Sequence, residues 1–99
     1  MKVILCNTPK GVYTIPLLDV AEDRANYYSC VVDGNEKGSK EWQEEVDYAM
    51  NDNYEAIDWL LNNTDWEDWK DVAKKFNDSI DVIDDEFWTS SGDFEIIEI

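Results

Sequence analysis

Between Glu41 and Trp69 the chain carries ten carboxylates and no Lys or Arg: Glu41, Glu44, Glu45, Asp47, Asp52, Glu55, Asp58, Asp65, Glu67 and Asp68. Carboxylates can do three kinds of work. In pairs they share acid–base chemistry, in oxygen-rich loops they hold hard cations, and in rows they present a fixed negative field. A hydrolytic pair needs only a separation, and with 24 acids in 99 residues pairs at any separation arise by chance. A calcium loop needs more. Asp33, Asn35, Gly38 and Glu44 fall at positions 1, 3, 6 and 12 of an EF-hand loop, but Lys37 stands at position 5, where an oxygen ligand is required, and Lys40 stands at position 8. That stretch reads better as a polar turn followed by a capped helix. Rows remain. Helical residues three or four apart have Cβ atoms about 5–6 Å apart, so Glu41 with Glu45, and Asp65 with Asp68, repeat negative charge at regular intervals. DNA carries one charge per about 3.4 Å of axis on each strand, and a scaffold with several such rows imitates that field.

The missing residue types exclude more. The sequence has no His, which removes the commonest general base and metal ligand and both Ser–His and Cys–His nucleophile pairs. Cys6 and Cys30, 24 residues apart, make neither a disulfide framework nor a zinc motif. The loop holding Gly34 and Gly38 lacks the Gly-Lys-Ser/Thr ending of a phosphate loop. No catalytic residue, cofactor or metal is expected, and the chain reads as a non-enzyme.

A net charge of −16 would suit a disordered chain, but five Trp, five Tyr and three Phe do not. The sequence predicts one folded acidic domain over residues 1–99. Its charge repels nucleic acid and anionic membranes and attracts basic protein surfaces, many of which grip nucleic acid. The N-terminal apolar run, Val3 to Cys6, is too short for a secretion signal, and no run approaches a membrane span. A cytoplasmic protein with reduced thiols is expected.

Residues 1–18 contain no acid. Lys2 to Asn7 reads as a buried strand, ended by the turn signal Thr8-Pro9-Lys10-Gly11; Val12 to Ile15 extends it or pairs with it. Pro16 opens a helix over 16–30, with Leu18, Ala21, Ala25 and Tyr28 on its apolar face. Ser39 caps a second helix that buries Trp42, Val46, Ala49 and Met50. Asn51-Asp52-Asn53 interrupts, and Asp52 caps a third helix with the stripe Tyr54, Ile57 and Leu61, and Leu60 beside it. Thr64 and Glu67 have capping-box spacing, so a fourth helix should start at Asp65 and bury Trp66, Trp69, Ala73 and Phe76. Lys70, Lys74 and Lys75 then lie at its C-terminal end. The Trp residues at helical spacing read as core. Ile80 to Ile83 and Phe94 to Ile99 flank the turn Thr89 to Asp93 as a C-terminal β-hairpin. The expected fold is α+β: an N-terminal strand, three to four short helices and a C-terminal hairpin in a small antiparallel or mixed sheet.

Val20-Ala21-Glu22-Asp23-Arg24-Ala25-Asn26-Tyr27-Tyr28 and Asn51-Asp52-Asn53-Tyr54-Glu55-Ala56-Ile57-Asp58-Trp59, continuing through Asn62-Asn63-Thr64-Asp65-Trp66, resemble small acidic uncharacterised proteins of bacteriophages and prophages. The resemblance implies a phage origin and a host bacterial cytosol, and carries no functional residues with it. In overall character the chain is also similar to phage DNA-mimic inhibitors of restriction and CRISPR systems. The expected function is therefore binding to a basic, nucleic-acid-binding host protein through the ten carboxylates from Glu41 to Asp68, without direct contact to nucleic acid, as a monomer or homodimer. The alternative is an interaction domain with an apolar or Trp-lined groove, whose acidity serves solubility only.

Overall fold

A computed structural model describes residues 1–8, 11–52, 54–75 and 93–99. The fold is α+β, as the sequence predicts. Strands β1 (Lys2–Thr8) and β2 (Gly11–Pro16) lead into α1 (Leu17–Ala25), which passes directly into a π-helical segment, Asn26–Val32. Then come α2 (Lys40–Asn51), α3 (Glu55–Asn63), the single turn α4 (Trp66–Trp69), the two-residue strand β3 (Lys74–Lys75) and β4 (Asp93–Glu98). The sheet has the order β3-β2-β1-β4 and every pairing is antiparallel.

β1 lies between β2 and β4, and register builds the core. Ile4 faces Ile15 on one side and Ile96 on the other, and Cys6 likewise faces Tyr13 and Phe94. Side chains alternate along a strand, so these two cross-strand rows share one face. On that face they meet Leu17 and Val20 of α1, Ala56, Ile57, Trp59 and Leu60 of α3, and Trp69. Burial pushes the Cys6 thiol up to about 12, so it stays protonated and unreactive. A second cluster lies on the other side of α1. There Ala21 and Ala25 meet Trp42, Val46 and Ala49 of α2. The small alanines give the indole of Trp42 room, and Met50 packs against both clusters.

Several details differ from expectation. The apolar face of α1 is Leu17, Val20, Ala21 and Ala25, while Leu18 and Tyr28 are exposed. Two apolar stripes overlap at Ala21 and Ala25, and docking on the sheet selects the one that begins at Leu17. Helical geometry continues to Val32 but widens to a π-helix from Asn26. Likewise α3 buries Ala56, Ile57, Trp59 and Leu60, and leaves Tyr54 exposed and Leu61 half-buried. The fourth helix does not reach Phe76. It ends at Trp69, and Lys74 and Lys75 instead pair with Thr14 and Tyr13 at the edge of β2. An apolar repeat cannot register that a strand edge waits nearby with unpaired backbone groups.

The caps follow the sequence more closely. Ser39 Oγ accepts the Trp42 N–H at 3.2 Å. Asp52 Oδ1 accepts the N–H groups of Tyr54 and Glu55 at 2.8 and 2.9 Å, which holds its carboxyl below the usual range. The predicted capping box moves by one residue: Asp65 Oδ1 accepts the Glu67 N–H, and Asp68 Oδ2 reaches back to the Asp65 N–H. Thr64 is used otherwise. Its hydroxyl donates to the Leu60 carbonyl at 2.6 Å and accepts the Trp69 indole N–H at 2.8 Å. The C-terminal strand expected from Phe94 to Ile99 is β4, and it pairs antiparallel with β1. The first arm of the expected hairpin, the positions of Phe76 and Trp88, and the side chain of Trp66 lie outside the described residues.

Candidate functional site

The ten carboxylates lie on α2, α3, α4 and the connections between them, and the fold treats them unequally. Glu45 and Glu55 are partly buried by Arg24 of α1: Nη1 lies 2.7 Å from Glu45 Oε2 and Nη2 lies 3.6 Å from Glu55 Oε2. The guanidinium also sits over the rings of Tyr28 and Tyr48, 4.8 and 5.2 Å from their centroids. One cation, nearly buried itself, thus ties α1, α2 and α3 together. The negative field that runs unbroken along the sequence from Glu41 to Trp69 is interrupted in space at these two positions. Sequence reasoning missed Arg24. The available signal was a lone Arg at i+3 from Ala21 and i+4 from Val20, on the buried stripe of α1.

Of the other eight, Glu44 approaches Lys40 at 3.9 Å and Glu67 pairs with Lys70 at 2.8 Å. The bond to Glu67 raises the Lys70 pKa, so that ammonium stays charged. Among the described residues, Glu41, Asp47, Asp52, Asp58, Asp65 and Asp68 have no Lys or Arg within 4.0 Å. Five of these six accept hydrogen bonds from neutral donors. Asp47 takes Gln43 Nε2 at 2.9 Å, Asp58 takes Asn62 Nδ2 at 2.8 Å, and Asp52, Asp65 and Asp68 take backbone N–H groups. Their charges are fixed in place yet not neutralised.

Along α2, Glu44, Asp47, Tyr48 and Asn51, with Asp52 just past its end, line an open groove of about 340 Å³. Tyr48 forms its apolar wall. The negative charge of Glu55, with smaller contributions from partial burial and from Asp52, raises the Tyr48 phenol pKa, so it remains a neutral donor. The groove is acidic, aromatic on one side and open to solvent.

The tryptophans that the structure describes do not line a groove. Trp42, Trp59 and Trp69 are buried, as the sequence predicts. Each indole N–H is satisfied, by Asn26 Oδ1, Asp23 Oδ2 and Thr64 Oγ1 respectively, at 2.8–2.9 Å. Among the described residues the exposed aromatics are tyrosines: Tyr27, Tyr28, Tyr48 and Tyr54. The stretch weighed as a calcium loop is a turn. Gly34 and Gly38 adopt positive φ, Asn35 donates to Ser29 Oγ, and Glu44 rides on α2 beside Lys40. Among the described residues no group of three or more acids and thiols is placed to hold a metal, and no helix is long and apolar enough to cross a membrane.

Comparison with protein-family models, with curated proteins and with solved structures finds no match to this chain.

Proposed function

We propose that this is a non-enzymatic binding protein whose acidic helical layer docks on a basic protein surface of the kind that grips nucleic acid. The supporting observation is the way the carboxylates are held. Asp47, Asp52, Asp58, Asp65 and Asp68 accept bonds from neutral N–H donors, so they keep full charge and lose rotamer freedom before any partner arrives. Charge ordered in advance lowers the cost of association. Along α2, Glu41, Glu44 and Asp47 recur every three residues, at helical intervals of about 5–6 Å, a row that Lys and Arg side chains built for phosphates can grip. Rim charges of this kind chiefly set the on-rate, the salt dependence and the rejection of wrong partners. In its sharpest form the protein is a phage accessory protein that occupies the nucleic-acid site of a host defence protein, such as a restriction or CRISPR component. The phage origin rests on the sequence resemblance alone.

A direct test immobilises the protein, passes bacterial lysate over it at low salt and elutes with a salt gradient. The expected result is one nucleic-acid-binding protein that elutes sharply at high salt and is displaced by duplex DNA. Glu44→Lys with Asp47→Lys should abolish that capture, whereas Asp19→Lys with Glu22→Lys on α1 should not. Many basic proteins leaving together at low salt, or equal losses from both double variants, would overturn the reading.

A further inference from the structure

The π-helical segment carries the most exposed apolar patch of the described residues outside the chain ends. Val31 and Val32 are 72% and 57% exposed, and Tyr27 and Tyr28, one turn earlier, are 45% and 39% exposed. An isolated exposed Val needs no explanation, but four contiguous apolar residues on one helical face do. The tyrosines are not loose. Their ring centroids lie 5.2 Å apart, and each lies 5.5–5.6 Å from the buried ring of Trp59, whose indole N–H is anchored on Asp23. Rigid aromatics over a packed base, exposed at their outer edges, are the side chains that dominate protein interfaces. π-Helical turns themselves occur frequently at functional sites.

The patch is also joined to the acidic groove. Tyr28 stacks on Arg24, Arg24 stacks on Tyr48, and Tyr48 is the apolar wall of the groove that Glu44, Asp47 and Asp52 make acidic. We infer that the π segment and the α2 groove form one continuous docking surface, and that its occupant is an amphipathic basic segment of a partner protein. The apolar side of that segment would cover Tyr27, Tyr28, Val31 and Val32, and its Lys or Arg residues would enter the groove. Charge selects this occupant. A second copy of a chain with net charge −16 is repelled. The chain's own residues 76–92 hold five acids and no base, so they also match the groove poorly. This inference rests on the proposed acidic binding function and adds to it the apolar half of the contact.

Three synthetic peptides of equal length test it by calorimetric titration at low and moderate salt: an amphipathic Leu/Lys helix, an oligolysine of the same charge, and a neutral Leu/Gln helix. The Leu/Lys helix should bind at least tenfold tighter than oligolysine, and the neutral helix should bind least. Val31→Ser with Val32→Ser should remove the tenfold preference and leave oligolysine binding unchanged; both positions are solvent-exposed, and circular dichroism checks that the fold is kept. Binding of the Leu/Lys helix no tighter than oligolysine, or a preference that survives the double variant, overturns the inference and leaves the acidic binding function standing. If neither basic peptide binds at low salt, both fail. Self-association of the free protein that the double variant abolishes would place a second copy on the patch instead. Val31 and Val32 methyl signals that a soluble paramagnetic probe cannot broaden would show the patch covered by the chain itself. Either result overturns the inference.

Discussion

β1 and the acid-free stretch that follows it pack through the rows Ile4–Ile15–Ile96 and Cys6–Tyr13–Phe94, with no charged group in the cluster they form. α2 and α3 contain six acids and one base, Lys40; the apolar face of α3 belongs to the sheet-side cluster, but α2 packs on α1 through small alanines, and a single nearly buried Arg links the acids of both helices to α1. The first region is held by apolar burial, which is non-directional and offers no charge for salt to screen. The second is held partly by a cation placed beneath carboxylates, and like charges around that cation repel. The protein thus keeps its stability on the sheet side and spends the opposite layer on charge. Mutation should separate the two.

The largest effect should come from the sheet-side core. Leu60→Ala removes a fully buried side chain and should cost about 2–5 kcal/mol in denaturant unfolding. That loss should be the same at low and high salt. A strong salt dependence would mean that the two regions are not separable.

Next comes the Arg24 clamp. Arg24→Met should cost about 2–3 kcal/mol, below the usual loss for a fully buried pair because Glu45 and Glu55 keep partial access to water. Here the loss should shrink as salt rises and screens the two freed carboxylates. Adding Glu45→Gln and Glu55→Gln to Arg24→Met should recover much of it. Arg24→Lys should recover less, because an ammonium cannot bridge two acids and lie flat between two tyrosines. A triple variant no more stable than Arg24→Met would place the contribution in packing rather than in charge.

The smallest effects sharpen the comparison at the helix starts. Ser39→Ala should lose about 1 kcal/mol at any pH, since its cap is neutral. Asp52→Ala should lower the melting temperature at neutral pH, and Asp52→Asn should lower it less, because an amide oxygen still caps. The Asp52 carboxyl titrates below its ordinary 3.8. The contribution of its charge is therefore complete above that value and disappears as pH falls through the lower folded value. The gap between wild type and Asp52→Ala should narrow over that acidic window toward the gap between Asp52→Asn and Asp52→Ala, while the Ser39→Ala gap stays constant. Thermal melts from pH 2 to pH 7 measure both.

Much of this was legible in the chain. The continuous apolar run from Val3 to Cys6 marks a buried strand, Ser39 and Asp52 mark helix starts, and Trp42, Trp59 and Trp69 at helical spacing mark core. These signals are local: a cap, a period and a turn residue act within a few positions of themselves. The errors share the opposite cause. Leu18 and Leu17 are equally apolar, and only the sheet beneath α1 chooses between them. Asp65 begins what reads as a helix reaching Phe76, but the helix ends at Trp69, and only the edge of β2 draws Lys74 into a strand.

The candidate site divides in the same way. Sequence alone determined the sign and density of the charge, the absence of histidine chemistry and the helical spacing of the acids, because these are properties of composition and period. Tertiary structure decided which acids remain available. Arg24 lies outside the acidic stretch, yet it removes Glu45 and Glu55 from the open field. Tyr28 lies outside it too, yet it shares Arg24 with Tyr48, which lines the groove. Contacts between residues 21 to 36 positions apart depend on how α1, α2 and α3 pack, and no local pattern encodes that packing.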